Sequence, residues 1–137
     1  MDPEQRLLLE VGYEATHGAA LRRDELVGRD VSVFVGLMNT DFASLEGAAS
    51  VYAATGAQVS IASGRLAFVL GVQGPCASVD TACSSALVAL NAAVLSVRAC
   101  ETSLAAAANL LLQPSVSLLF ARAGMLSADG RCKTFDA

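Results

Sequence analysis

The segment from Cys76 to Val97 constrains the fold of this chain more than any other. Its beginning, up to Asp80, has the composition of a short β-strand. From Ser84 onward the sequence predicts a helix that is apolar on nearly every side, with leucines and valines separated by alanines. A helix of that kind is normally buried in a protein core. The segment therefore favours a layered α/β fold in which this helix lies inside.

Two further helices are predicted. Asp2 can cap a helix that starts at Pro3, with Gln5 as the return donor of a capping box and Gly18 near its end. A second helix is predicted over 61–70, with Ser60 as a possible cap and Gly71 as its stop. Both helices have apolar residues at helical spacing, so we expect each to pack on a sheet.

Two strands complete the pattern. Val31–Gly36 is the clearest strand, and its consecutive apolar residues indicate that both of its faces are covered. Leu104–Leu112 predicts a further buried strand. Residues 37–56 indicate loops and helix without a clear pattern, and residues 127–131 predict a turn. The order helix, strand, helix, strand, helix, strand predicts an α/β fold with a central sheet.

The composition supports a core that is larger than this chain can close by itself. Apolar residues make up 54% of 137 residues and charged residues only 16%, which excludes disorder. A small domain has too much surface to hide so much apolar material, so we expect a piece of a larger protein or a large partner. A net charge of −4 without a basic cluster argues against nucleic-acid binding.

A membrane span and a secretory pathway are not predicted either. The longest apolar stretch, Ala86–Val97, falls short of the roughly 20 residues that a span needs. The N-terminus has no signal-peptide pattern, and four irregularly spaced cysteines fit neither a zinc site nor a disulfide framework. We therefore expect reduced thiols in the cytoplasm, with Cys76, Cys100 and Cys132 in structural roles.

Cys83 is the one residue whose position suggests chemistry. It lies between the predicted strand and the apolar helix, where its sulfur would meet the positive end of the helix dipole and unpaired backbone N–H groups. Both favour the nucleophilic thiolate, and the amide of Cys83 is a candidate oxyanion donor. The competing interpretation is an inert buried cysteine, which is the commoner of the two on position alone.

Several motifs favour the nucleophilic interpretation of Cys83 over the inert one, and they follow one another over essentially the whole chain. They are Met1–Glu10, Val33–Gly36, Ser60–Leu66, Gly71–Pro75, Asp80–Leu90 and Gly130–Ala137. In this order they resemble the ketosynthase (β-ketoacyl synthase) domains of modular polyketide synthases. The cysteine motif Asp80–Ser85 is highly specific to that family. The resemblance places residues 1–137 in the N-terminal portion of such a domain.

The resemblance implies a thiolase-like layered fold (α/β/α/β/α) and a decarboxylative Claisen condensation. Cys83 would take an acyl chain as a thioester from the phosphopantetheine arm of an acyl carrier protein, and a malonyl unit would then extend it. The domain itself would bind no metal and no cofactor. The family also implies a homodimer with Cys76–Val79 near the interface.

The sequence departs from the family in its histidines. The family uses two histidines downstream of the cysteine, whereas this sequence has only His17, which we interpret as a surface residue. We therefore expect an incomplete active site, able to be acylated but not to condense. The alternatives are a ketosynthase-like domain that only holds acyl chains or dimerises, and another thiolase-fold acyltransferase. The sequence does not separate a polyketide synthase from a fatty-acid synthase.

Overall fold

The computed structural model describes residues 1–38, 41–45 and 51–135. The elements in chain order are α1 (Pro3–Gly18), α2 (Arg23–Leu26), β1 (Val31–Gly36), α3 (Asp41–Leu45), α4 (Ala53–Ala57), α5 (Val59–Leu70), β2 (Cys76–Val79), α6 (Ser85–Ser96), β3 (Thr102–Ala107) and α7 (Pro114–Arg122). Within the described ranges, no helix has both the length and the apolar character that crossing a membrane requires.

The three strands form one parallel sheet in the order β2-β1-β3. Val33 in the central strand lies opposite Cys76 on one side and Leu104 on the other. The chain leaves β1 for β2 on one side, then crosses back to β3 on the other. This reversal makes the carboxyl end of β1 a topological switch point, which is where open α/β sheets place their ligands.

The two faces of the sheet meet different helices. Val31, Val33 and Val35 of β1 are buried in a cluster with Leu8 of α1 and Leu66 of α5. The alternate residues of β1 point to the opposite face, where α6 packs across β1 and β3. The core therefore lies between the sheet and the α1–α5 pair, and α6 covers the other side of the sheet.

The predicted burial of α6 is wrong for this chain. Its buried residues are Ser85, Ala89 and Ala93, which form the stripe against the sheet. The large side chains of the helix are exposed, with Leu87 at 70% and Val94 at 58%. One side of the helix packs on the sheet, and no described residue covers the other side.

Local patterns predicted β1, β2, the start of α1 and the end of α5 well. Asp2 caps α1 by accepting the Glu4 amide at 2.8 Å, and Gly71 ends α5 with a φ of 76°. The predicted capping box is wrong, since the Gln5 side-chain amide donates to the Gln58 carbonyl instead. The predicted cap Ser60 is also wrong, because α5 already starts at Val59.

The prediction of a strand over 104–112 is wrong at both ends. β3 starts two residues earlier, at Thr102, and ends at Ala107, because it pairs residue by residue with the six residues of β1. The short helix α2 and the helix α7 were not predicted. α3 and most of α4 lie in the unassigned segment 37–56, of which residues 39–40 and 46–50 are outside the described residues.

Candidate active site around Cys83

The carboxyl ends of all three strands converge on one pocket of about 210 Å³. Residues at the ends of β1 and β3, and residues that follow each of the three strands, line it together. They are Gly36, Leu37 and Met38 at the end of β1 and beyond it, Ala82, Cys83, Ser85 and Ala86 after β2, and Ala107, Ala108 and Asn109 at the end of β3 and beyond it. Parallel strands end at the same edge of a sheet, so segments far apart in sequence meet there. The sequence-predicted nucleophile is thus placed at the switch point of the sheet.

A strained turn presents Cys83 to this pocket. Ala82 has a φ of +58°, which a residue with a Cβ seldom adopts. The carboxylate of Asp80 accepts the Ala82 amide at 3.0 Å. This conformation reverses the chain between β2 and α6 within a few residues. The turn leaves Cys83 exposed directly before the helix, which contradicts the interpretation of an inert buried cysteine.

Two serine hydroxyls hold the turn in place. The buried Ser85 accepts the Thr81 amide at 2.8 Å and donates to the Ala82 carbonyl at 2.7 Å. Ser84 donates to the Thr81 carbonyl at 2.8 Å. Thr81 and Ala82, the two residues before Cys83, are therefore tied to Ser84 and Ser85 at the start of α6. This bracing restrains the direction in which the sulfur points.

Gly36 sets the distance between α6 and the end of β1. A Cβ added at Gly36 would lie 2.6 Å from the carbonyl carbon and oxygen of Ser85, a contact too short for any side chain. Only glycine allows the helix to start this close to the central strand. The helix N-terminus, with its partial positive charge, consequently lies at the switch point beside Cys83.

The comparison with protein families decides the assignment. A family model described as the N-terminal domain of β-ketoacyl synthases matches residues 1–137. The chain belongs to the β-ketoacyl synthase family. This confirms the family that the motifs predicted.

Curated relatives of this chain are polyketide synthases. It is 46% identical to a phenolphthiocerol/phthiocerol polyketide synthase from Mycobacterium tuberculosis, over 100% of this chain and 7% of that protein. It is 48% identical to the spectinabilin polyketide synthase system protein NorA' of Streptomyces orinoci, over 100% of this chain and 4% of that protein. The chain thus spans less than a tenth of the length of these relatives.

A solved structure supports the same fold. The ketosynthase from module 6 of the bacillaene synthase of Bacillus subtilis matches with a TM-score of 0.86 and 33% identity, covering 99% of this chain and 24% of that one. The predicted thiolase-like α/β fold is confirmed by this match, with the three-stranded parallel sheet as the part that this chain contributes.

Other residues singled out from the sequence lie away from the Cys83 pocket. His17 is exposed in the last turn of α1, where its ring stacks on Tyr13. Arg65 donates to the Gln5 side chain and to the Thr55 carbonyl, both at 2.9 Å, so it links α5 to α1 and α4. Asn91 is exposed on α6. None of the three lines the Cys83 pocket.

The remaining cysteines differ from Cys83 in position. Cys100 is buried, and its sulfur lies 3.5 Å from the Ser96 hydroxyl. Cys76 starts β2 at the opposite end of that strand from the pocket, and Cys132 is exposed near the C-terminus. Cys83 is thus the cysteine that joins exposure, a helix N-terminus and a pocket.

Asn109 is a pocket residue that sequence reasoning missed. It follows β3 and lines the same cavity as Cys83. The signal was present, because Asn109 interrupts an otherwise apolar run and a polar residue there is typical of a strand end. The prediction of a single strand over the whole run places Asn109 inside the sheet instead.

Proposed function

We propose that this chain supplies the acyl-accepting half of a polyketide-synthase ketosynthase, with Cys83 as the nucleophile. One observation carries the proposal. An exposed cysteine stands on a braced, strained turn before a helix, at the point where three parallel strands end together. Family membership supplies the chemistry for which such a cysteine is suited.

The first step is a transfer between thioesters. The sulfur of Cys83 attacks the carbonyl carbon of an acyl group held on a phosphopantetheine arm. A carbon–sulfur bond forms to Cys83, and the bond to the pantetheine sulfur breaks. The departing thiolate takes up the proton that the cysteine released. The N-terminus of α6 supports this step, because it favours negative charge on the attacking sulfur and on the tetrahedral oxyanion.

The second step is carbon–carbon bond formation. A malonyl thioester loses carbon dioxide, and its α-carbon bonds to the acyl carbonyl carbon while the sulfur of Cys83 leaves. The sequence contains one histidine, His17, which lies outside the pocket. We therefore assign acyl transfer to these residues and condensation to the complete polypeptide. A domain that only holds acyl chains or dimerises is the alternative, and the histidines of the complete polypeptide decide between the two.

The partners follow from the same proposal. An acyl carrier protein delivers both the acyl and the malonyl thioester in the cytoplasm, and the pantetheine belongs to the carrier. The chain itself holds no cofactor in this scheme. A homodimer is supported by β2, which is an edge strand whose residues, from the exposed Cys76 to the half-buried Val79, have no strand on their outer side among the described residues.

The test is acylation of the complete polypeptide that contains these residues. We expect incubation with an acyl N-acetylcysteamine thioester to add one acyl mass to the peptide that carries Cys83. Cys83→Ala should abolish the addition, whereas Cys132→Ala, at another exposed cysteine, should leave it intact. Acyl transfer that persists in Cys83→Ala would sink the proposal. Adding malonyl carrier protein then separates condensing from acyl-holding proteins, by the presence or absence of a product two carbons longer.

A further inference from the structure

The segment after β3 is held by carboxylates from two distant parts of the chain. We name residues 108–113 the post-β3 loop. The amide of Leu110 donates to the Glu4 carboxylate at 2.7 Å. The amides of Leu112 and Gln113 both donate to one oxygen of Asp41 at 3.2 Å. The loop is thus fastened to α1 at one point and to α3 at another.

The fastened loop is also a wall of the Cys83 pocket. Ala108 and Asn109 belong to the loop and line the cavity with Cys83. Asn109 directly precedes Leu110, whose amide Glu4 holds. A shift of the Leu110 amide must therefore move Asn109 relative to the sulfur. Glu4 itself is only 3% exposed and lines no part of the pocket, so it acts through the loop.

We propose that Glu4 is a positioning residue for acyl transfer, because its carboxylate sets the place of the post-β3 loop opposite Cys83. Asp41 fixes the far end of the same loop. The inference rests on the proposed role of Cys83 as acyl acceptor. It gives a function to the fourth residue of the N-terminal motif, which lies 106 residues from its hydrogen-bond partner.

The charges around Glu4 fit an anchoring group. Burial raises the pKa of Glu4, the hydrogen bond from Leu110 lowers it, and the neighbouring Asp2 and Asp41 raise it further. The post-β3 loop contains no charged residue. The hydrogen bond from the Leu110 amide thus partly offsets the cost of removing this carboxylate from water. A hydrogen bond from an amide to a buried carboxylate is stronger than one between neutral groups.

Three variants of the complete polypeptide separate positioning from general destabilisation. Glu4→Ala removes the acceptor. Glu4→Gln keeps an acceptor oxygen of the same reach without the charge. Glu14→Ala is the matched control, an exposed glutamate on the same helix. For each, three rates are measured: acylation of Cys83 by an acyl N-acetylcysteamine thioester, its alkylation by iodoacetamide, and amide hydrogen exchange over 108–113.

We expect Glu4→Ala to slow acylation and to speed exchange of the loop, each by about tenfold, as for the loss of one hydrogen bond to a charged group. Alkylation by the small reagent should stay within about twofold, since it does not need the wall. Glu4→Gln should recover acylation to within about threefold of the unchanged protein. The Glu14→Ala control should match the unchanged protein in all three rates.

Two results overturn the inference. One is unchanged acylation in Glu4→Ala. The other is an equal loss of acylation and alkylation in both Glu4 variants, which would mean general unfolding. A failure of the proposed function looks different, since the unchanged protein would then take no acyl group on Cys83. In that case the amide hydrogen exchange of the post-β3 loop tests whether Glu4 holds the loop. Faster exchange in Glu4→Ala than in the unchanged protein supports this role, and equal exchange refutes it.

Discussion

The helices α5 and α6 have the same length of twelve residues, yet the protein uses them in opposite ways. α5 buries large side chains such as Leu66 and Leu70 between the sheet and α1. α6 buries only Ser85, Ala89 and Ala93, and its leucines and valines point outward. Packing of α5 on the sheet therefore contributes most to stability among the described residues, whereas packing of α6 on the sheet positions the Cys83 pocket.

The small residues of α6 explain how the site is placed. Serine and alanine at every fourth position let the helix backbone approach the sheet closely, and Gly36 permits this approach at the N-terminus. The position of α6 on the sheet therefore depends on close backbone contact and on serine hydrogen bonds rather than on interlocking side chains. A change near Gly36 should thus slow the acylation of Cys83 as well as lower stability, whereas a change in the core on the α5 side should mainly lower stability.

The largest expected effect is on the α5 side. Leu66 is 1% exposed in the core cluster, so Leu66→Ala should lower the free energy of unfolding by about 2–5 kcal/mol. The matched change on α6, Leu87→Ala, should cost less than about 0.5 kcal/mol because Leu87 is 70% exposed. Denaturant unfolding measures both. Equal losses of unfolding free energy in the two variants would contradict the difference between α5 and α6. They would show that the outer side of α6 is covered in the complete protein.

The next effect is on the α6 side. Gly36→Ala places a Cβ against the Ser85 backbone, so α6 must move, at a cost of about 1–3 kcal/mol. We expect the acylation rate of Cys83 to fall by more than about tenfold, since about 1 Å of misplacement can cost more than that. Gly64→Ala on α5 is the control, because nothing lies within 4 Å of its added Cβ. A Gly36→Ala protein that acylates normally would show that the chemistry does not depend on the close approach.

The same contrast explains what the sequence could predict. Val31–Gly36, the stop at Gly71 and the strand-to-helix position of Cys83 follow from neighbouring residues, and the structure confirms them. The ends of β3 and the hydrogen bond between Glu4 and Leu110 depend on partners that are distant in sequence, so no local pattern could reveal them. The exposure of α6 was not predicted, because an apolar sequence indicates only that the helix needs other residues packed around it. It does not indicate that those residues belong to the same 137 residues.

Ser85 offers a smaller change within the site. Ser85→Ala removes the acceptor of the Thr81 amide and the donor to the Ala82 carbonyl, so we expect a loss of about 1–2 kcal/mol in unfolding free energy. Acylation should slow because Ala82 keeps its strained φ only while its neighbours restrain it. Ser60→Ala, at an exposed serine on α5, should change neither quantity. Equal effects of the two serine variants would contradict the bracing of the turn.

The smallest expected effect is a pH dependence with opposite signs in two carboxyl groups. Burial raises the pKa of Glu4 above 4.5, so the folded protein holds that proton more tightly than the unfolded chain does. Stability from this group is present below pH 4.5 and is lost as the pH rises through the folded pKa. Glu4→Gln should therefore gain stability relative to the unchanged protein as the pH increases through that window.

Asp129 should behave in the reverse way. Hydrogen bonds, first from the Ser127 hydroxyl and then from Lys133, lower its pKa below 3.8, so its contribution is present above that pH and is lost on acidification. The group is fully exposed, which makes the effect small. Unfolding midpoints of Glu4→Gln and Asp129→Asn, measured between about pH 3 and pH 7, test both signs, because an ordinary carboxyl titrates near pH 4. If Glu4→Gln lost stability relative to the unchanged protein as the pH rose, Glu4 would not be the desolvated group on which the loop anchor depends.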